Sequence, residues 1–292
     1  LACLGLARWL PFNVGDVARQ HINDPQLLQF IDMECFCWSV MPADLTPMIN
    51  AGMVFSDRHA GGINYPKGGV GTIACKLVSG LERHGGQIRY KARVTRVLMD
   101  GSQAVGVELA DGETIHARRV VSNATRWDTF SGEGSAKAPL VDAEHTPARE
   151  ARWRKRYKAS PSFLSLHLGI DASLVPSGFH CHHLLLEDWQ AMEDEQGVIF
   201  VSMPSLLDPE LAPSGRQILH CFTPSAMEHW QGLGPEAYKA KKQADADRLI
   251  QRLETLLLPG LSGAIHHREV GTPRSHRRFL GRHQGSYGPI PA

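Results

Sequence analysis

GGVGTIACKLVSGLERHGG, residues 68–86, is the stretch on which the fold turns. Gly68, Gly69 and Gly71 form a glycine turn. The apolar residues after it, Val70, Ile73, Ala74, Leu77, Val78 and Leu81, recur as one helix face until Gly85 and Gly86 stop it. The period then drops from about 3.6 residues to 2. Residues 87–90, 94–99, 104–109 and 114–117 alternate or are β-branched, and Asp100-Gly101 and Asp111-Gly112 between them are hairpin signals. A helix feeding a small antiparallel meander is therefore predicted. Val120, Val121, Ser122, Asn123 and Ala124 follow as a short apolar strand ending in small residues, where a ligand can approach the backbone closely, and that end is a candidate site.

Gly69, Gly71 and Ala74 also match G-x-G-x-x-A, the dinucleotide fingerprint. The context rejects it, because GGINYP (61–66) is no apolar strand and a meander follows instead of a parallel strand ending in an acid. A glycine-rich helix start is the reading that stands, at a place still suited to anionic or polar ligand groups.

Upstream, residues 1–60 carry helical spacing at Leu4, Ala7, Trp9 and Leu10, at Val14, Val17 and Ala18, and at Leu27, Leu28, Ile31 and Met33. Pro11, Pro25, Pro42 and Pro47 divide them into short helices. The apolar segment 30–55 suits a core or the wall of an apolar cavity. Downstream, residues 131–148 are rich in Gly, Ala and Pro and read as a loop or linker. Strands are predicted at 162–170, 182–186, 198–203, 217–223 and 264–270. A long helix starts at Pro235, with Ala246, Leu249, Ile250, Leu253 and Leu257 on one face until Pro259 and Gly260. The fold class is mixed α/β (α+β), in two interleaved subdomains.

Composition narrows the chemistry. Of 292 residues, 42% are hydrophobic, enough for a large core. With 31 Lys and Arg against 30 Asp and Glu there is no whole-molecule field for a nucleic-acid backbone, and no nucleic-acid partner is expected. The six cysteines are scattered, without a C-x-x-C, and support neither a disulfide framework nor a zinc site. His180, Cys181, His182 and His183 read as a polar strand end rather than a metal cluster, and no metal is expected. No G-x-S-x-G occurs, so hydrolase chemistry has no support. No apolar run reaches the length of a membrane span. Two basic runs remain: residues 149–158, where six cations interleave with Trp153 and Tyr157, and residues 274–282. The first is a solvated helix face or a contact for an anionic membrane surface; the second is a phosphate or lipid-headgroup contact or a loop charged for solubility. The chain opens on Leu1, and an internal fragment is expected.

GINYPKGGVG (62–71), VVSNATRWDTF (120–130), GTPRSHRRF (271–279) and GSYGP (285–289) together form a recognisable pattern. With DPQLL (24–28), TPMIN (46–50) and SDRH (56–59), it resembles the carotenoid (prolycopene) isomerases of plants and algae. These lie within the phytoene-desaturase-like flavoproteins, themselves similar to amine oxidases in fold. The resemblance implies a partial two-domain FAD flavoprotein without its N-terminal Rossmann unit and C-terminal flavin motif. Residues 1–60 would be the helical part of the substrate domain, 61–130 the middle segment of the FAD-binding domain, 131–150 a linker and 151–292 the rest of the substrate domain.

It further implies reduced FAD as cofactor and cis-trans isomerisation of poly-cis-lycopene to the all-trans form without net redox change. The substrate would be a long apolar polyene, and the location the plastid, membrane-associated through 149–158. The chain alone would bind FAD weakly and be inactive. Carried over by position, Val94 matches the strand residue whose backbone meets the adenine. Gly68, Gly69 and Gly71 match the helix start beside the isoalloxazine, with Thr72 on its substrate side. Ser122, Asn123 and Ala124 match the strand end that returns to the cofactor. No side chain is assigned as acid or base. The rival readings are a desaturase-like or retinoid-saturase-like flavin oxidoreductase on a polyene, and a non-catalytic fragment.

Overall fold

The computed structural model describes Gly5, residues 7–132 and residues 138–292. Leu4, Cys3 and the centre of the expected 131–148 loop lie outside the described residues.

Three helices lie between residues 14 and 60: α1 (Val14–His21), α2 (Pro25–Ser39) and α3 (Met48–Ala60). The carboxylate of Asp24 accepts from the backbone N–H of Gln26 and Leu27, and Pro25 takes the first helical position, where its missing N–H costs nothing. Val14, Cys35, Ala43 and Ala51 close a small core between them, with Trp38, Met48 and Phe55 packed alongside.

The predicted helix is α4 (Gly71–Arg83), and the meander is β1 (Val94–Asp100), β2 (Gln103–Leu109) and β3 (Thr114–His116), antiparallel in that order. Two predicted strands are absent. Residues 87–90 and 120–124 are extended or irregular without ladder partners, and Val121 is 93% exposed. A strand exists by pairing, and apolar alternation alone cannot supply the neighbour. The 131–150 linker also needs correction. Leu140 and Val141 are buried with Val97, and the Val97 N–H donates to the Leu140 carbonyl at 2.6 Å, so the end of the expected loop completes the meander's core.

Past two short helices, α5 (Arg126–Phe130) and α6 (Arg149–Arg156), comes the main body of the molecule. A five-stranded, wholly antiparallel sheet runs β6-β7-β8-β5-β9, built from β5 (Ser162–Asp171), β6 (His182–Leu186), β7 (Val198–Ser202), β8 (Arg216–Ser225) and β9 (Ile265–Gly271). Alternation sends Leu164, Leu166, Leu168, Ile170, Leu219 and Cys221 to one face. There they pack on Ala246, Leu249, Ile250 and Leu253 of α7 (Pro235–Leu256) and on Trp230. The same alternation puts Phe163, His167, Phe200, His220 and Phe222 on the opposite face, where Phe36 of α2 stacks on Phe200 and Phe163 and Phe222 pack against the same cluster.

The second basic run, read as a phosphate or lipid-headgroup contact or as a loop charged for solubility, forms for most of its length a helix, α8 (Pro273–Leu280). Thr272 caps it by accepting from the Ser275 N–H, Pro273 stands at the first turn, and Gly281 ends it at φ 61°. After it, β10 (Pro289–Pro291) pairs with β4 (Tyr157–Ala159). Gly285 sits at φ +65°, where a Cβ would stand 2.4 Å from the Pro273 carbonyl, so only glycine lets the chain double back on α8.

Candidate functional site

A groove of about 1110 Å³ opens between the head of the meander, the start of α5, α8 and the 285–289 turn, and reaches the sheet at Phe163. Its walls include Val94 at the head of β1, Asn123 and Ala124, the start of α5, Trp153 of α6, Phe163 of β5, His276 of α8 and the 285–289 turn.

The α5 wall is made rigid from within. Thr125 accepts from the Asp128 N–H at 3.1 Å and donates to Asp128 Oδ2 at 2.5 Å. The Ala124 N–H donates to Ser122 Oγ at 3.3 Å, closing the turn that presents Asn123. Trp127, buried, stacks on His283 with ring centroids 4.5 Å apart and meets Trp153 edge-on at 5.0 Å; Trp153 in turn stacks on Tyr157. The Arg126 guanidinium lies 4.6 Å over the Trp153 ring and pairs with the buried Glu150. The aromatics of the first basic run are thus bound into this wall.

On the sheet face Phe163 lines the groove, and the other rings of that face follow on from it. Phe200 and Phe222 stack at 4.8 Å, Phe163 meets Phe222 edge-on at 5.1 Å, and His167 and His220 stack at 4.4 Å. Burial, reinforced by His167, lowers the His220 pKa to about 4. Burial also lowers that of His276; the Phe163 carbonyl opposes the shift and His167 adds to it. Both imidazoles are therefore neutral near pH 7, and the face is apolar with weakly polar edges. His276 Nε2, buried in the wall of the groove, has no hydrogen-bond partner among the described residues.

Of the residues singled out in the sequence, Val94, Asn123 and Ala124 come together in the groove, and Ser122 holds their turn. Gly68, Gly69, Gly71 and Thr72 are not among its lining residues. The Gly68 N–H donates to Asp208 Oδ2 at 2.6 Å, Thr72 Oγ1 donates to the Gly69 carbonyl at 2.7 Å, and Gly69 approaches Leu211. The positive φ angles of Gly68 and Gly69 serve a tight turn against the 208–211 segment. Trp127 and Phe163 were not singled out as site residues in the sequence, and His276 was weighed there only as a metal ligand and set aside. The available signal was the period-2 placement of Phe163 with His167 and of His220 with Phe222.

His182 Nδ1 is 3.0 Å from Ser202 Oγ, and a ring nitrogen of His183 is 2.9 Å from the His180 carbonyl. Among the described residues no His, Cys, Asp and Glu side chains cluster for a metal, and no helix is long and apolar enough to cross a membrane.

The chain matches the model of a family described as flavin containing amine oxidoreductase over residues 14–259. It is 53% identical over 292 residues to a protein named prolycopene isomerase, chloroplastic, from Arabidopsis thaliana, covering all of this chain and 48% of that protein. It is 50% identical to the protein of the same name from Daucus carota, covering 46% of it. It is 27% identical to a lycopene-forming phytoene desaturase from Paracoccus. The chain spans about half the length of the curated relatives it matches. Among solved structures, putrescine oxidase bound to putrescine superposes with a TM-score of 0.61 at 16% identity, over 98% of this chain and 58% of that one. An oxidoreductase from Methanosarcina mazei gives 0.58 at 19% identity, over 88% and 55%. The fold is thus of the amine-oxidase type.

Proposed function

Because the chain belongs to the flavin-containing amine oxidoreductase family, we propose that it works as the central part of an FAD-dependent isomerase that turns poly-cis-lycopene into the all-trans form in plastids. The observation that carries this reading is the continuity of the groove, which runs from Val94, Asn123 and Ala124 to Phe163 at the edge of the ring-bearing face. Identity of 53% to a named prolycopene isomerase along the whole chain supports the choice of substrate.

The residues present fit a flavin nucleotide. Val94, Asn123 and Ala124 offer backbone and small polar groups, and the orphaned His276 Nε2 calls for a polar group in the groove. A bound reduced flavin supplies electron density to a conjugated chain and so lowers the bond order about which it must rotate. The protein's own part is orientation. Phe163, with Phe222 edge-on against it, would bury hydrocarbon at about 25 cal/mol per Å² and exclude water, which is how a molecule with almost nothing to hydrogen-bond is held. Neutral His220 and His276 spare the face a charge that a polyene could not solvate. Rotation about a weakened double bond breaks no C–H bond, so the step as proposed asks no proton transfer of a side chain.

The test grafts this chain in place of the matching segment of the Arabidopsis relative and assays the chimera anaerobically with reduced FAD and poly-cis-lycopene. All-trans product with an unchanged number of double bonds is the expected result. Turnover that requires an external electron acceptor overturns it in favour of desaturation.

A further inference from the structure

Beside the groove lies a second cleft, of about 490 Å³, lined by Arg93, Arg274, Arg277, Arg278 and Gly281. Residues 274, 277 and 278 share one face of α8, and Arg93 reaches the same space from the residue just before β1. Some arginines elsewhere are matched with acids: Arg89 with Glu113, Arg96 with Asp142, Arg126 with Glu150, Arg216 with Asp171. The four around this cleft have no carboxylate partner among the described residues. Arg274 is held in place by neutral groups instead. It donates to the Leu233 carbonyl at 3.0 Å and lies 4.4 Å over the Tyr238 ring, so its charge is positioned without being neutralised. Arg93 and Gly281 line the groove as well, which makes the two spaces neighbours.

We propose that this cleft is a binding site for a phosphate-type oxyanion. Four like charges converging on one cleft without an acid repel each other, and a multiply charged anion reverses that cost. A planar guanidinium offers paired N–H donors that match two oxygens of one phosphate, and arginine on three successive positions of a helix face repeats the fit. A hydrocarbon substrate has no use for such a cleft, so its ligand is a different molecule or the charged end of one. Two sources share this chemistry. A nucleotide diphosphate would arrive along the groove. A phospholipid headgroup would arrive from outside, where Phe279 and Leu280 at the tip of α8 are 77% and 66% exposed.

The experiment titrates the 292-residue chain with inorganic pyrophosphate, against sodium chloride of equal ionic strength, by calorimetry and thermal shift. Flotation with phosphatidylcholine vesicles, with and without phosphatidylglycerol, runs in parallel. The variants are Arg277→Gln with Arg278→Gln, Arg93→Gln alone, and Arg83→Gln on α4 as a charge-matched control. Wild type and control should bind pyrophosphate about tenfold or more tightly than the double variant does. Without ligand, the double variant should melt no lower than wild type, because the substitution relieves repulsion. Pyrophosphate binding that depends on the cleft arginines assigns a soluble phosphate, and phosphatidylglycerol-dependent flotation that depends on them assigns a lipid. Binding unchanged in both cleft variants, or a response to pyrophosphate no greater than to chloride, overturns the proposal.

Discussion

The β5–β9 sheet with α7 and the α4–meander segment are both written in clean apolar periodicity, yet they end up in opposite conditions. In the sheet unit, Leu164, Leu166, Leu219, Leu249 and Leu253 are all fully buried against each other. In α4 no residue is buried, and Val70, Ile73 and Leu77 stand 62%, 53% and 71% exposed. Periodicity thus fixes which face of an element is apolar, whereas burial depends on a second face being there to meet it. The first region is held by its own packing. The second is held by its local ladder and by the few residues, such as Leu140, that reach it.

The sharpest way to break that contrast is to remove a methyl-rich side chain from the sheet. Leu219→Ala should cost about 2–5 kcal/mol in urea unfolding, with the cavity left unfilled between β8 and α7. A loss under about 1 kcal/mol would mean this core is as loosely engaged as α4. The wall between the regions comes next. Glu150→Ala strands Arg126 beside Trp153 and should cost about 1–3 kcal/mol, with a changed near-UV circular dichroism signal from the Trp127–Trp153 pair.

A third test uses pH. His220 has its folded pKa depressed from 6.5 to about 4, so between those values the unfolded chain binds a proton that the folded chain refuses. Stability should therefore fall by about 1–2 kcal/mol from pH 7 to pH 5, and His220→Phe should flatten that slope. An unchanged slope in the variant would show that the sheet face is wetter than its burial implies. The smallest effect belongs to α4. Leu77→Ser should change stability by no more than about 0.5 kcal/mol, and a larger loss would show that the stripe is covered in solution.

The strands of the sheet were legible because each alternates over a length that no helix would tolerate, and α4 because its spacing is unbroken by proline. Residues 120–124 misled because two valines in a row promise a strand, while the pairing that makes one is not a property of those residues. α8 carried a valid start signal in Thr272 and Pro273 that its cluster of arginines obscured. The site divides the same way. Val94 was reached only through resemblance to a family, whereas Asn123 and Ala124 also stood out locally as the small-residue end of an apolar run. The ring row was hidden because Phe163, Phe200 and Phe222 are joined only by the strand order β7-β8-β5, which no window of sequence contains.

The edge-to-face indoles of the groove wall have an optical consequence. Trp127 and Trp153, with ring centroids 5.0 Å apart, form the lining itself, and Trp127 is shielded from solvent behind His283. Their emission samples the groove from inside. A chromophore settling there would accept their excitation and darken them in proportion to its occupancy, so the molecule carries its own gauge of what it binds.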